Sequence, residues 1–158
     1  MKPMRKINKG FTLIELLVAI GIMAVLTGMA VFNFNQSRIR ARDIQRKNDL
    51  KQLQTALELY KNDTSSYPAA ANFQATLQSP VAYTKVTFAD PRTGEWSEYQ
   101  YLPAADFKTY YLQTCLENAG DTTKTTNAAI CDLFDSQNHC NCGSTTTKSG
   151  VMYIITQP

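Results

Sequence analysis

One carboxylate stands alone in a long apolar run. From Phe11 to Phe32 the only charged side chain is Glu15. A charge at the centre of a membrane helix costs roughly 2.5–3.5 kcal/mol on insertion scales and less near an end, and an ionisable residue in such a place needs a named partner. The preceding segment offers one. Residues 1–10 read MKPMRKINKG, with Lys2, Arg5, Lys6 and Lys9 and no acid. If the chain is cut after Gly10, Phe11 gains a free α-amine about 6 Å of helix rise from Glu15. That amine can pair with the carboxylate of its own chain or of a neighbouring copy. A secretory signal reads differently, because its small-residue cleavage site follows the apolar stretch. Here the cut would precede it, and the run would stay in the mature chain. Two plainer readings stand beside this one. Thr12-x-x-Glu15 fits a capping box, in which Glu15 satisfies a backbone N–H, and a run of this length also suits a simple membrane anchor.

The remaining reactive residues lie in the second half. Cys115, Cys131, Cys140 and Cys142 follow the spacing C-x15-C-x8-C-x-C. Four cysteines in the last third fit an oxidising compartment and two disulfides, with three possible pairings. Cys140 and Cys142 are too close to bridge without strain, so both are expected to pair outward, to Cys115 and Cys131, in an order the spacing leaves open. A zinc site is the competing reading, but the two C-x2-C pairs of a ribbon are missing. His139, beside Cys140, is read as a surface residue rather than half of a nucleophilic pair. No phosphate-binding glycine loop, HExxH or Gly-x-Ser-x-Gly is present in the sequence, which reads as that of a non-enzyme without a cofactor.

The elements that must position these residues follow from periodicity. Phe11 to Val31 is about 32 Å as a helix, enough to cross a bilayer core. Gln36 to Asn62 contains no Gly and no Pro, and Leu50, Leu53, Leu57 and Tyr60 recur at spacings of three and four, with Ile39 and Ile44 ahead of them. That is one apolar stripe on a polar helix. Gly21 and Gly28 are the weak points of the apolar half, each costing up to about 1 kcal/mol relative to Ala. They either lend flexibility, together with Asn33, Phe34 and Asn35, or permit close helix packing. The long helix should end near Asp63 to Pro68, because the residue before Pro68 is pushed out of the α region.

Beyond it, Ala69 to Gln78 suggests a short helix. Lys85–Phe88, Glu98–Leu102, Lys108–Leu116 and Val151–Thr156 suggest strands, with a turn at Asp90 to Gly94. The expected fold is α+β, with a three- or four-stranded antiparallel sheet laid on the Leu50–Tyr60 stripe. Asp121 to Asn127 and Ser144 to Ser149 read as surface loops, and Asn62-Asp63-Thr64 matches a glycosylation sequon.

Charge adds a conflict. The 158 residues carry a formal +3, of which the leader supplies four positive charges, so the chain after Gly10 is about −1. The basic balance belongs to the leader and gives no indication of nucleic-acid binding. Yet Arg38, Arg40, Arg42, Arg46, Lys47 and Lys51 follow the apolar run, offset only by Asp43 and Asp49. Cations on both sides oppose a simple positive-inside reading. The cluster is expected to be a solvated helix face, with inter-subunit ion pairs as the alternative.

KGFTLIELLVAI, residues 9–20, resembles the class III signal of type IV pilins and pseudopilins. The resemblance implies that a prepilin peptidase cuts between Gly10 and Phe11 and N-methylates Phe11, and that Glu15 guides subunit packing. It implies a lollipop-shaped subunit: a cleaved leader (1–10), a membrane and filament-core helix (11–35), its amphipathic continuation (36–62) and a β domain with disulfide-bonded C-terminal loops (63–158). Tyr67-Pro68, just past the long helix, agrees with the family pattern. Asp90 near Gly94, with Asp106 further on, faintly resembles the calcium site of major pseudopilins, and hard oxygen ligands suit that ion; the ligand set is incomplete, so a turn aspartate is the stronger expectation and no metal is assigned. Phe32 departs from it, since many members carry a proline there. The implied function is a structural subunit, held as a precursor in the bacterial inner membrane and polymerised with itself into a surface filament by pilus or secretion machinery, for adhesion, motility or DNA uptake. A pseudopilin of a type II secretion system is one alternative, and a monomeric membrane-anchored extracellular domain with a binding or catalytic role is another.

Overall fold

The stretch free of proline becomes one helix, α1, Leu13–Thr64, 52 residues long. The computed structural model describes residues 10–92, 98–135, 140–142 and 150–157, with the backbone alone at 31–33. The chain divides into two compact units, Met1–Arg38 and Ile39–Pro158, and α1 begins in the first and ends in the second. It ends within the expected Asp63–Pro68 stretch, but at Thr64, ahead of Ser65, rather than at the residue before Pro68. Ser65 takes a left-handed conformation (φ 64°) and donates its N–H to the Lys61 carbonyl at 2.7 Å, closing the last turn. Tyr67 N–H then donates to the Phe107 carbonyl at 2.9 Å, so the chain leaves the helix against the turn that joins the first two strands of the sheet.

That sheet has four antiparallel strands, β1 (Gln100–Pro103), β2 (Tyr110–Leu116), β3 (Asn141–Cys142) and β4 (Gly150–Thr156), in the order β1-β2-β4-β3. Tyr101 lies opposite Leu112, and Leu112 opposite Ile155, so all three share one face. This face meets the α1 stripe. Leu50, Leu53, Ala56 and Leu57 form one core with Tyr99, Tyr101, Tyr110 and Leu112, closed at the side by Tyr67, Phe73, Leu77 and Phe88. Each fully buried leucine contributes about 1.5–3 kcal/mol over an exposed one. Cys115 points to the other face of β2 and is joined to Cys142, while Cys131 is joined to Cys140. Both cysteines of the Cys140/Cys142 pair thus bridge outward, and the structure supplies the order that spacing left open. Closing loops of 27 and 9 residues stabilises the domain by very roughly 3 kcal/mol each on the chain-entropy account.

Several expectations are corrected. Lys85–Phe88 forms no strand. The Phe88 N–H donates to Gln74 Oε1 at 2.7 Å and its carbonyl accepts from Gln74 Nε2 at 3.0 Å, so a side chain completes the hydrogen bonds a neighbouring strand would have made. The expected Ala69–Gln78 helix is reduced to α2, Phe73–Thr76. A further turn of helix, α3 (Ala128–Cys131), begins at Asn127, whose side chain accepts from Ala129 N–H at 3.1 Å. Ile44, placed on the buried stripe by its sequence spacing, is 58% exposed. The stripe holds its phase from Tyr60 back through Leu57, Leu53 and Leu50, and that phase continues to Arg46 and Asp43, one position away from Ile44.

Candidate assembly site

Among the described residues of the first unit no apolar side chain is buried. Phe11 is 88% exposed, and Leu13, Ile14, Leu16, Leu17 and Val18 are exposed in succession, so every side of this part of α1 is open. An all-round apolar helix requires a membrane or other helices. Gly21 and Gly28 are both helical, and a Cβ built at either would meet nothing within 4 Å. They therefore leave two notches where another backbone could approach closely. Gly10 and Phe11 precede the helix and are exposed.

Thr12 caps α1. Its side chain accepts from Glu15 N–H at 3.3 Å, and Glu15 Oε2 accepts from the Thr12 N–H at 2.9 Å and the Thr12 hydroxyl at 2.7 Å. This is the reciprocal capping box. It occupies only one carboxylate oxygen; Oε1 makes no hydrogen bond among the described residues. The box leaves Glu15 an open acceptor at the helix start.

The second unit treats its charges in the opposite way. Arg46, 0% exposed, sits among three carboxylates. Its Nε and Nη2 fork onto Asp90 at 2.6 and 2.9 Å, and Nη1 donates to Asp43 Oδ1 and Glu117 Oε1 at 2.8 Å each. Arg42 makes its own fork on Glu117 at 2.7 and 2.6 Å, and Arg92 adds a contact at 3.1 Å. Asp43 also accepts the backbone N–H groups of Glu117 and Asn118, both at 2.9 Å. The cluster ties the loop before β1 and the segment after β2 to α1. Lys47 extends the tie with a 2.6 Å ion pair to Asp121.

The titration of these groups follows from the contacts. Burial pushes the Glu117 carboxyl up, but Arg42 and Arg46 outweigh it and hold it at about 2. Asp121 is likewise held at about 2, as Lys47 and Thr123 overcome its desolvation. For Arg46, burial opposes the charge, yet Asp90, Glu117 and Asp43 raise its affinity for the proton. Asp49 is the exception: burial raises it and the Tyr99 hydroxyl, donating at 2.6 Å, offsets only part of that rise.

The expected solvated face is therefore corrected for Arg42, Arg46 and Lys47, which are spent within the domain, while Arg38, Arg40 and Lys51 remain exposed. This also eases the charge conflict, because half of the cations beyond the apolar run are neutralised internally. Asp90 and Asp106 are not brought together. Asp90 is committed to Arg46 and to the Arg92 N–H, as a turn aspartate with an added ion pair. Asp106 accepts from Lys108 N–H, and Lys108 Nζ reaches the Ser65 carbonyl, about 28 Å along α1 from Arg46. Among the described residues no group of three His, Cys, Asp or Glu is placed to hold a metal. The leader up to Lys9, Gly94, His139 and the Ser144–Ser149 loop lie outside the described residues.

The chain matches the family model "Prokaryotic N-terminal methylation motif" over residues 5–31. It is 32% identical over 118 residues to "Type II secretion system core protein G" of Vibrio cholerae serotype O1, covering 67% of this chain and 77% of that one. The protein of the same description from Pseudomonas aeruginosa is 31% identical over 98 residues, 62% of this chain and 65% of its own length. "Type IV major pilin protein PilA" of Myxococcus xanthus is 35% identical over 65 residues, 41% of this chain and 30% of that protein. No solved structure shows a significant match.

Proposed function

The chain belongs to the family of type IV pilins and type II secretion pseudopilins, and on that premise we propose that it is a structural, non-enzymatic subunit of a type IV pilus. Prepilin peptidase cuts between Gly10 and Phe11 and methylates the new amine. The subunit then waits in the inner membrane with its disulfide-bonded domain outside. The assembly machinery draws copies into a helical filament, apolar helices inward. The observation that carries this reading is Glu15, an acceptor with one open oxygen at the start of α1, in a stretch whose large apolar side chains from Leu13 to Met29 are exposed. In a dry bundle an unpaired carboxylate is expensive, and the amine of a neighbour's Phe11 would neutralise it. Contacts repeated head to tail are heterologous and give an open fibre when the rotation does not close. Such a fibre serves adhesion, motility or DNA uptake.

The similarity to several proteins named core protein G of type II secretion favours a second reading, a short pseudopilus that drives secretion. Loss of sheared surface fibres on deletion, seen by electron microscopy, supports the pilus; a secretion defect with no fibres supports the pseudopilus. For either filament, Glu15→Leu is expected to insert normally in the membrane and to assemble poorly. Wild-type filament yield from that variant would remove the mechanism.

A further inference from the structure

The far end of the apolar run carries a feature that the pairing of Glu15 does not involve. Phe34 is 58% exposed, and the Arg38 guanidinium, one turn further on, lies 4.5 Å from the centre of its ring. Arg38 has no carboxylate partner among the described residues, whereas Arg42 is held by Glu117. Between and around them stand Asn33, Asn35, Gln36 and Ser37, polar and uncharged. An aromatic ring with a guanidinium packed on its face, just beyond an apolar run, is chemistry suited to a membrane interface. The ring sits at the edge of the hydrocarbon, and the cation on its face lies at the depth of the phosphates.

Length agrees with this placement. Glu15 to Phe34 spans about 28 Å of helix, close to the hydrocarbon thickness of about 30 Å. With Phe34 at one boundary, Glu15 lies at the other, near water and near the leader. Sliding the helix by two turns in one direction would carry Arg38 into hydrocarbon, and in the other it would bury Glu15.

We propose that Phe34 and Arg38 form an interfacial anchor that binds the phosphate of an anionic phospholipid headgroup in the leaflet opposite the leader, and that this anchor fixes the depth at which the unassembled subunit holds Glu15. The inference rests on the membrane-held precursor described above. It adds a lipid ligand and a position for the waiting subunit. Entry into a filament then breaks a lipid contact at one end of the helix while Glu15 leaves the interface at the other.

The test uses the full chain in vesicles of phosphatidylcholine with phosphatidylglycerol. Trp96 is the single tryptophan; in a Trp96→Phe background, Phe34→Trp reports depth by its quenching with brominated lipids. Bromines near the headgroup are expected to quench several-fold more than bromines at the chain end. Energy transfer from the same indole to headgroup-labelled phosphatidylglycerol reports lipid enrichment. Arg38→Gln should lower that enrichment about five-fold, the equivalent of about 1 kcal/mol per basic residue at a membrane surface, and Arg38→Lys should largely keep it. Lys85→Gln, at an exposed cation of the second unit, should leave it unchanged. Stronger quenching from the chain end, or enrichment insensitive to Arg38→Gln, would overturn the anchor while leaving the membrane-held subunit intact. Absence of quenching by every brominated lipid would overturn the membrane-held subunit and the anchor together.

Discussion

The two units of this chain handle their difficult groups in opposite ways. In Ile39–Pro158 each carboxylate of the buried cluster meets a donor, and the apolar stripe of α1 meets tyrosines and leucines of the sheet. Among the described residues of Met1–Arg38 the large apolar side chains from Phe11 to Met29, and Phe34, are exposed, and Glu15 is bound only by its own helix cap. The second unit meets the charges of this cluster and the apolar stripe of α1 within one polypeptide. The first has its needs left over, and these can be met only by lipid or by other copies. Function lies in what remains unsatisfied, and fold stability in what does not.

The largest test of that contrast is Arg46→Ala. Removing a fully buried guanidinium leaves Asp90, Asp43 and Glu117 facing one another, and a broken buried ion pair typically costs 3–5 kcal/mol. Urea unfolding of the detergent-solubilised protein should show the loss, while Arg40→Ala, at an exposed position, should stay within about 0.5 kcal/mol. Equal effects of the two would erase the distinction between clasped and solvated cations.

Acid offers a second way to probe the clasp. Glu117 is held at about 2 against an ordinary 4.5. A carboxyl depressed in the folded state stabilises the fold above its unfolded value, and that contribution drains away as pH falls from about 4.5 toward 2. Melting temperature should drop steeply across this window, and Glu117→Gln should start lower and flatten the drop. An unchanged slope in the variant would place the acid sensitivity elsewhere.

The smallest effect sharpens the boundary of the core. Ile44→Lys should change stability by no more than about 0.5 kcal/mol, whereas Leu57→Ala should cost 2–5 kcal/mol. A large loss from Ile44→Lys would contradict the phase of the helix.

That phase marks where the sequence was legible. Leu50, Leu53, Leu57 and Tyr60 announced the buried face because burial and apolarity coincide there, and β2 and β4 announced themselves through alternation and β-branching. The clasp was missed because its buried positions are charged. Extending the three-and-four spacing backward from Leu50 reaches Arg46 and Asp43, but apolar weighting selects Ile44 instead. The partners Asp90 and Glu117 lie 44 and 71 residues from Arg46, so no local pattern links them. β3 is two residues long and sits where Cys142 is bridged to Cys115; no propensity window detects so short an element. The strand expected at Lys85–Phe88 is absent; there the Gln74 side chain takes both backbone bonds of Phe88 and the Thr84 hydroxyl accepts from Val86 N–H. At the assembly end the sequence was direct. An acid in an apolar run and its Thr12-x-x-Glu15 cap are visible without any fold, and the structure added that the cap leaves one carboxylate oxygen open.

Mass spectrometry of the native N-terminal peptide tests the central claim most directly. The account predicts a mature chain that starts at Phe11 and carries one added methyl on its amine, so that a cation is available for Glu15. Native protein that still begins at Met1, with no amine at Phe11, would contradict it.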